Sequence, residues 1–206
     1  MRRSILTMAL FVAGFPQIWP SFHGSGHFPP LQEIPTLAEL YRNQDFGYEI
    51  SFPEGWRLVE AARRQGPGTK WAAEVLSGDE LQKVTFLETG ERVWPGEFQI
   101  RVLANPGGLS LDAWTEKYSN TDVVDPTGGS LVTGMRNITL GGVPARRLEV
   151  FMFDHSGVDI VAVRGEYVLL LSYVGSTPND PDLEEHRRVS EAMVGSFRLL
   201  DAGPNL

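Results

Sequence analysis

The sequence predicts an α+β fold in which an antiparallel β-sheet is sandwiched by helices. Segments rich in β-branched and aromatic residues alternate with turns rich in glycine and proline. Several of these turns contain only a few residues, which forces the strands on either side to run antiparallel. Amphipathic helical segments interrupt the series of strands, and their apolar faces are expected to cover the faces of the sheet.

The first elements are predicted from capping and alternation. Thr36 and Glu39 have the spacing of a capping box, so a short helix is expected from Thr36 to Tyr41. Turn residues and β-rich composition then predict strands over Tyr48–Phe52, Trp56–Glu60, Trp71–Leu76, Lys83–Glu88, Phe98–Ala104, Leu131–Leu140, Ala145–Phe153, Val158–Arg164 and Tyr167–Val174.

Two longer helices are predicted from their caps and apolar stripes. Ser110 is expected to cap a helix that carries Leu111, Trp114 and Tyr118 on one face. Asp180 is expected to cap the second helix, with Pro181 as its first residue. The apolar stripe of the second helix consists of Leu183, His186, Val189, Met193 and Phe197. His186 on this stripe is predicted to be a hydrogen-bonded core residue, not a catalyst.

Composition narrows the range of functions. The chain has 206 residues and a formal net charge of −8, which disfavours binding to the phosphates of nucleic acids. It contains no cysteine. This excludes a disulfide scaffold, a thiolate zinc site, an iron–sulfur cluster, a cysteine nucleophile and a cysteine-anchored lipoprotein.

The N-terminus resembles an export signal. Two arginines precede an apolar run from Ile5 to Phe15, which is shorter than the ~20 residues of a membrane-spanning helix. The segment is either cleaved as a signal peptide or retained as an arm that anchors the protein to a membrane. Both alternatives predict that the folded part lies outside the cytoplasm, on the periplasmic or lumenal side. We therefore divide the chain into an arm, 1–35, and a globular domain, 36–206.

Three groups of residues are candidates for contact with a membrane or a partner. Phe15, Trp19, Phe22 and Phe28 are large aromatic residues in a Pro/Gly-rich arm, and they either meet lipid or a partner or fold back on the domain. Arg63 and Arg64 form a basic turn that meets anionic groups or is simply solvated. Val93 and Trp94 lie in a predicted turn, where they bind a partner's pocket or pack on the sheet edge.

Four segments taken in order resemble the PsbP-like domain family. The opening from Tyr41 to Trp56 contains a Gly-aromatic strand followed by Phe52-Pro53 and Trp56. The other segments are Ser110-Leu111-Asp112-Ala113-Trp114, the hairpin from Ile138 to Ala145 with its Gly-x-Pro-Ala pattern, and Ser196-Phe197. The resemblance extends from about Leu40 to Leu200. It implies an α/β/α sandwich without enzymatic activity, of the kind found in extrinsic photosystem subunits and exported bacterial proteins. The aromatic arm departs from the bacterial lipoprotein-type members, which carry a lipidated cysteine there.

The sequence contains no familiar pattern for catalysis or cofactor binding. It has no nucleophile elbow, no zinc-protease motif, no phosphate loop and no dinucleotide fingerprint. The acidic residues Asp180, Asp182, Glu184 and Glu185 could hold calcium, but helix capping explains them without a ligand. We therefore expect no enzyme, no cofactor, and neither catalytic nor metal-binding residues.

These observations predict a non-catalytic accessory or scaffolding subunit outside the cytoplasm that docks on a membrane protein complex. The family resemblance makes a photosynthetic reaction centre or photosystem the leading candidate for that complex. The N-terminal arm is expected to provide the membrane contact. The alternative is a soluble exported module that binds a small hydrophobic ligand in a pocket between sheet and helix.

Overall fold

The computed structural model describes residues 36–61, 80–92, 95–120, 130–152, 155–174 and 181–200. Within these ranges the chain forms strands in two sheets and two helices. In chain order the elements are β1 (Glu39–Asn43), β2 (Tyr48–Phe52), β3 (Trp56–Ala61), β4 (Glu80–Glu88), β5 (Glu97–Ala104), α1 (Leu111–Asn120), β6 (Ser130–Leu140), β7 (Val143–Met152), β8 (His155–Arg164), β9 (Tyr167–Val174), α2 (Leu183–Ser196) and β10 (Arg198–Leu199).

The larger sheet has seven strands in the order β3-β4-β5-β9-β8-β7-β6. Every neighbouring pair in it is antiparallel, as the short turns predicted. The hairpin between β6 and β7 turns at Gly141 and Gly142, whose φ angles of +55° and +92° suit a two-residue turn. The predicted α+β class with an antiparallel sheet is confirmed.

One face of the large sheet is covered by α2 and by a small sheet of order β1-β2-β10. Aromatic rings fill the space between these layers. Tyr48 of β2 stacks on Phe197 with ring centroids 5.6 Å apart, and Phe98 of β5 stacks on Tyr173 of β9 at 6.0 Å. Such pairs contribute about 0.5–1.5 kcal/mol each beyond the area that they bury. This aromatic cluster is the main core of the domain.

The opposite face of the large sheet is covered by α1. Ser110 caps this helix as predicted, because its Oγ accepts a hydrogen bond from the Ala113 amide at 3.2 Å. Trp114 of α1 is buried against Leu148 of β7 and Leu170 of β9, and its ring stacks on Tyr118. The helix packs through the face that the spacing predicted. The domain therefore has three layers: α1, the large sheet, and α2 together with the small sheet.

The predicted helix from Thr36 to Tyr41 is wrong, because Glu39–Asn43 forms strand β1. Tyr41 lies opposite Ile50 of β2 and is buried, as is Asn43, whereas Leu40 and Arg42 are exposed. This alternation is the pattern of a strand. A helix of so few residues gains little by itself, so pairing with β2 and burial of the Tyr41 ring outweigh the local capping signal.

The predicted start of the second helix is also wrong. The helix begins at Leu183, so Pro181 precedes it, and Asp180 lies outside the described residues. Asp182 occupies the capping position, but its side chain makes no capping hydrogen bond. Its carboxylate lies 3.4 Å from Arg92 instead. An ion pair with a distant loop has therefore replaced the local cap.

The remaining strands agree with the prediction apart from their ends. Strands β2 and β9 have the predicted bounds, and β3 ends one residue later than predicted. Strands β4, β5, β6, β7 and β8 begin one to three residues earlier than predicted. The two-residue turn at Gly141-Gly142 explains the early start of β7 at Val143. The predicted strand Trp71–Leu76 and the last residue of the predicted strand ending at Phe153 lie outside the described residues.

We expect Gly141→Ala to destabilise the domain more than Gly165→Ala. Both glycines have positive φ, +55° and +60°, so alanine carries a similar backbone cost of about 1–2 kcal/mol at each. A Cβ at Gly141 would lie 3.0 Å from the Leu199 amide nitrogen, whereas no atom lies within 4 Å at Gly165. Thermal unfolding of both variants measures the difference. Equal losses would show that the approach of β10 to the β6–β7 turn does not constrain the fold.

Candidate interaction surface

The residues predicted to make contacts lie outside the described part of the chain. These are Phe15, Trp19, Phe22, Phe28, Arg63, Arg64, Val93 and Trp94. Their contact roles remain predictions. The neighbours of Val93 and Trp94 are described on both sides, however, so the structure defines how the loop that carries this dipeptide is attached.

The β4–β5 loop starts and ends at one point of the fold. The Glu88 amide donates to the Gly96 carbonyl at 2.9 Å, and the Gly96 amide donates to Oε2 of Glu88 at 2.9 Å. The Thr89 amide donates to the Gly55 carbonyl at 2.9 Å. A Cβ on Gly96 would lie 2.9 Å from the Trp56 ring and 3.0 Å from His186, so only glycine fits there without a shift. The base of the loop is therefore closed and tightly packed.

Arg92 ties this loop to the first turn of α2. Its guanidinium lies 3.3 Å from Glu88, 3.4 Å from Asp182 and 3.3 Å from Glu185. Partial burial alone would lower the pKa of Arg92, but the hydrogen bond to Glu185 and the three carboxylate charges outweigh it and raise the pKa. The arginine stays charged, and it joins two segments that are about ninety residues apart in the sequence.

His186 completes this group from the buried face of α2. Only 5% of its surface is exposed, and Nε2 lies 3.1 Å from Oε2 of Glu88 and 3.4 Å from Nη1 of Arg92. The prediction that His186 is a hydrogen-bonded core residue is confirmed. Glu88, Arg92, Asp182, Glu185 and His186 are called the loop clamp below.

No local sequence pattern indicates the loop clamp. The Glu88–Arg92 spacing of four residues was available, but β4 ends at Glu88, so the helical meaning of that spacing does not apply. Helix capping accounts for the acidic start of α2 at the level of the sequence. Its actual partner on a loop before β5 is a tertiary contact that no local pattern indicates.

The acidic residues at the start of α2 are engaged by arginines. Glu184 forms a bidentate pair with Arg187, at 2.7 and 3.0 Å, which lowers the pKa of the Glu184 carboxyl. Asp182 and Glu185 pair with Arg92. Across the described ranges, no group of three or more histidine or acidic side chains is arranged to hold a metal ion.

A second polar group fixes α2 on the sheet. Arg147 of β7 is buried and lies 2.7 Å from Glu191 of α2 and 3.0 Å from Glu149. The Tyr173 hydroxyl donates to the same Glu191 carboxylate at 2.6 Å. Burial raises the pKa of Glu191, but the hydrogen bonds from Arg147 and Tyr173 outweigh it and lower the pKa overall. Because α2 is held here, its first turn offers Arg92 a fixed partner.

A third polar group holds α1 in the same way. The Tyr118 hydroxyl donates to Asp159 of β8, which also accepts a hydrogen bond from the Ser172 hydroxyl at 2.6 Å. Burial raises the pKa of Asp159, although the two hydrogen bonds and the Arg101 charge oppose that shift. The Arg147 group thus attaches α2 to the sheet, and the Asp159 group attaches α1 to it.

Comparison with solved structures identifies the fold. The chain is similar to the solution structure of cyanobacterial PsbP, CyanoP, from Synechocystis sp. PCC 6803, with a TM-score of 0.53 and 17% identity. The similarity covers 80% of this chain and 94% of that chain. A crystal structure of a Bacteroides thetaiotaomicron VPI-5482 protein matches with a TM-score of 0.46 and 12% identity, over 80% of this chain and 49% of that one.

The chain has a PsbP-like fold, as the sequence resemblance implied. Neither a family model nor a curated protein matches it. In the part of the chain that the structure describes, both helices fall short of the length and apolar character needed to cross a membrane.

We expect the stabilising effect of Glu191 to depend on pH. Because its pKa in the folded state lies below the ordinary value of 4.5, ionised Glu191 stabilises the fold above that pH, and the contribution is lost as the pH falls through the lowered pKa. Glu191→Gln should lower the free energy of unfolding at pH 7 by about 1 kcal/mol. The difference in free energy of unfolding between the variant and the native protein should disappear at acidic pH.

Glu184→Gln is the matched control for Glu191→Gln. It removes an exposed ion pair from the same helix, and such pairs contribute little to stability. Denaturant unfolding between pH 3 and pH 7 measures both variants. If the loss of unfolding free energy in Glu191→Gln stays constant over this pH range, the proposed role of the carboxylate charge is wrong.

Proposed function

We propose that the protein is a non-catalytic accessory subunit that docks, outside the cytoplasm, on a membrane protein complex. The complex is a photosynthetic reaction centre or photosystem. The observation that carries the proposal is the PsbP-like fold over 80% of the chain, together with the PsbP-like sequence segments in the same order. The export-signal pattern of the first residues supports the location.

The use of polar residues in the described domain supports a scaffolding role. The loop clamp attaches a loop to α2, the Arg147 group attaches α2 to the sheet, and the Asp159 group attaches α1. Each group therefore has a structural task. Rigid attachment of this kind suits a protein that presents a fixed surface to a partner.

The β4–β5 loop is the first element of the proposed docking surface. Tryptophan is enriched among the residues that dominate binding energy at protein interfaces, and Trp94 follows Val93 in this loop. The loop clamp limits the movement of the loop ends before binding. A loop whose ends are held in place before binding loses less conformational entropy when it docks.

The arm and the basic turn are the other elements of the proposed surface. Phe15, Trp19 and Phe22 would each gain about 1.5–3 kcal/mol by burial in lipid or among partner helices, before the cost of ordering. Arg63 and Arg64 would add a weaker attraction to anionic head groups. In this proposal the arm is retained and the turn orients the domain.

We expect Phe15→Ser/Trp19→Ser/Phe22→Ser to release the protein from membranes while its thermal unfolding stays unchanged. Membrane fractionation of cells that express the full chain measures this. The control is Arg63→Glu/Arg64→Glu, which should weaken binding mainly at low ionic strength, because salt screens that attraction. Native protein recovered free of membranes and lacking the residues before Pro29 would contradict the tether. That outcome would favour the exported ligand-binding module.

We expect Val93→Ser/Trp94→Ser to reduce co-purification with reaction-centre polypeptides from detergent-solubilised membranes by at least about tenfold. The matched control is Leu40→Ser, which removes an apolar side chain that is 57% exposed on β1. It should leave co-purification unchanged. If both variants lose the complex equally, or neither does, the β4–β5 loop is not the docking element.

A further inference from the structure

Strand β6 lies at one edge of the seven-stranded sheet and spans eleven residues, Ser130–Leu140. The opposite edge strand, β3, has six. Exposed edges offer unpaired backbone groups to other strands, and proteins usually protect them by short length, lysine, proline or bulges. β6 contains neither lysine nor proline, and it has one irregularity, between Val132 and Gly134. From Gly134 onward it is long and regular, and no strand among the described residues pairs with its outer side.

The side chains of β6 also suggest that it is covered. Met135 is an apolar residue that is 49% exposed on this edge. Arg136 is exposed and lies opposite Arg147 of β7, which is an unfavourable pairing of like charges. Among the residues that the structure describes, no carboxylate pairs with Arg136, whereas Arg147 is bound by Glu149 and Glu191.

Gly134 leaves a gap in the row of side chains beside Arg136. It lies opposite Glu149, and the Glu149 Cγ would be 3.4 Å from a Cβ at Gly134. The Glu149 stem therefore runs beside the glycine, with 49% of its side chain exposed. A basic side chain on a strand added outside β6 could reach Glu149 across Gly134. Glycine within a strand often marks such a close approach.

We propose that two copies of this chain associate edge to edge through β6, in antiparallel register about a two-fold axis at Met135. This register places Arg136 of each copy opposite Gly134 of the other, from where it reaches Glu149. The two Met135 side chains meet at the axis. The Arg136 charge, which no carboxylate among the described residues of its own copy neutralises, is thus neutralised by the other copy. The interface is self-complementary, as a two-fold requires.

Other symmetric registers are less favourable. A two-fold antiparallel pair must have a central residue that faces its own copy, because outward-facing backbone groups must meet outward-facing ones. An axis at Arg136 would oppose two guanidinium groups. An axis at Asn137 would face Arg136 with Ile138 and leave it without a carboxylate. The irregularity next to Gly134 limits the pairing to about five residues, so a weak dimer that dissociates on dilution is expected.

Met135→Cys tests this register directly, because the native chain has no cysteine. Directly opposite Cα atoms lie about 4.5 or 5.5 Å apart in an antiparallel pair, within the range that a disulfide spans. The full-length variant should form a disulfide-linked dimer under a mild oxidant. The control, Thr139→Cys, is exposed on the same strand, but its two copies would be about 27 Å apart, so it should stay monomeric. Association through the arm in a detergent micelle would cross-link both variants alike.

Sedimentation equilibrium of the full-length native chain provides the second measurement. Arg136→Glu should raise the dimer dissociation constant roughly fivefold, whereas Arg57→Glu, an equal charge change on an exposed arginine of β3, should not. Native protein that remains monomeric at high concentration, with Met135→Cys that does not cross-link, would overturn the proposal. Those results would instead favour a strand from another protein as the partner of the β6 edge. Equal cross-linking of Met135→Cys and Thr139→Cys would also overturn it.

Discussion

The fold depends on a central strand that is apolar on both sides. In β9, Leu169 and Leu171 face the aromatic core, while Val168 and Leu170 face α1, and all four are fully or almost fully buried. A strand of this kind must be covered on both faces. The large sheet therefore needs a layer on each side. Helix α1 supplies one, and α2 with the small sheet supplies the other.

The need to hold these layers explains where the polar residues lie. Each helix carries polar side chains on its sheet-facing side, and these reach partners on the strands, Glu191 to Arg147 and Tyr118 to Asp159. The attachment of the β4–β5 loop depends in turn on the position of α2. Because α2 is fixed, its first turn can hold Arg92, and Arg92 with Glu88 and His186 holds the β4–β5 loop. A loop that is proposed to bind a partner thus rests on the core.

Local signals predicted the elements that local forces determine. Alternation and short turns give the bounds of β2 and β9, and Ser110 gives the start of α1. The capping-box pattern wrongly predicts a helix at β1, because that pattern is local whereas the pairing of β1 with β2 is not. Strand β10 has two residues, which is too short for any periodic pattern. The loop clamp joins distant segments through charged side chains. Its residues are visible in the sequence, but no local pattern indicates that they contact one another. The predicted contact residues lie outside the described part of the chain.

The proposed docking on a photosynthetic membrane complex involves Trp94 and the arm. A photo-reactive phenylalanine analogue at position 94 or 19 of the full chain, activated in intact membranes, tests it most directly. We expect cross-links from both positions to reaction-centre or photosystem polypeptides, and none from the same analogue at Leu40, an exposed position on β1. Cross-links that are absent from both positions, or that appear equally from all three, would contradict it.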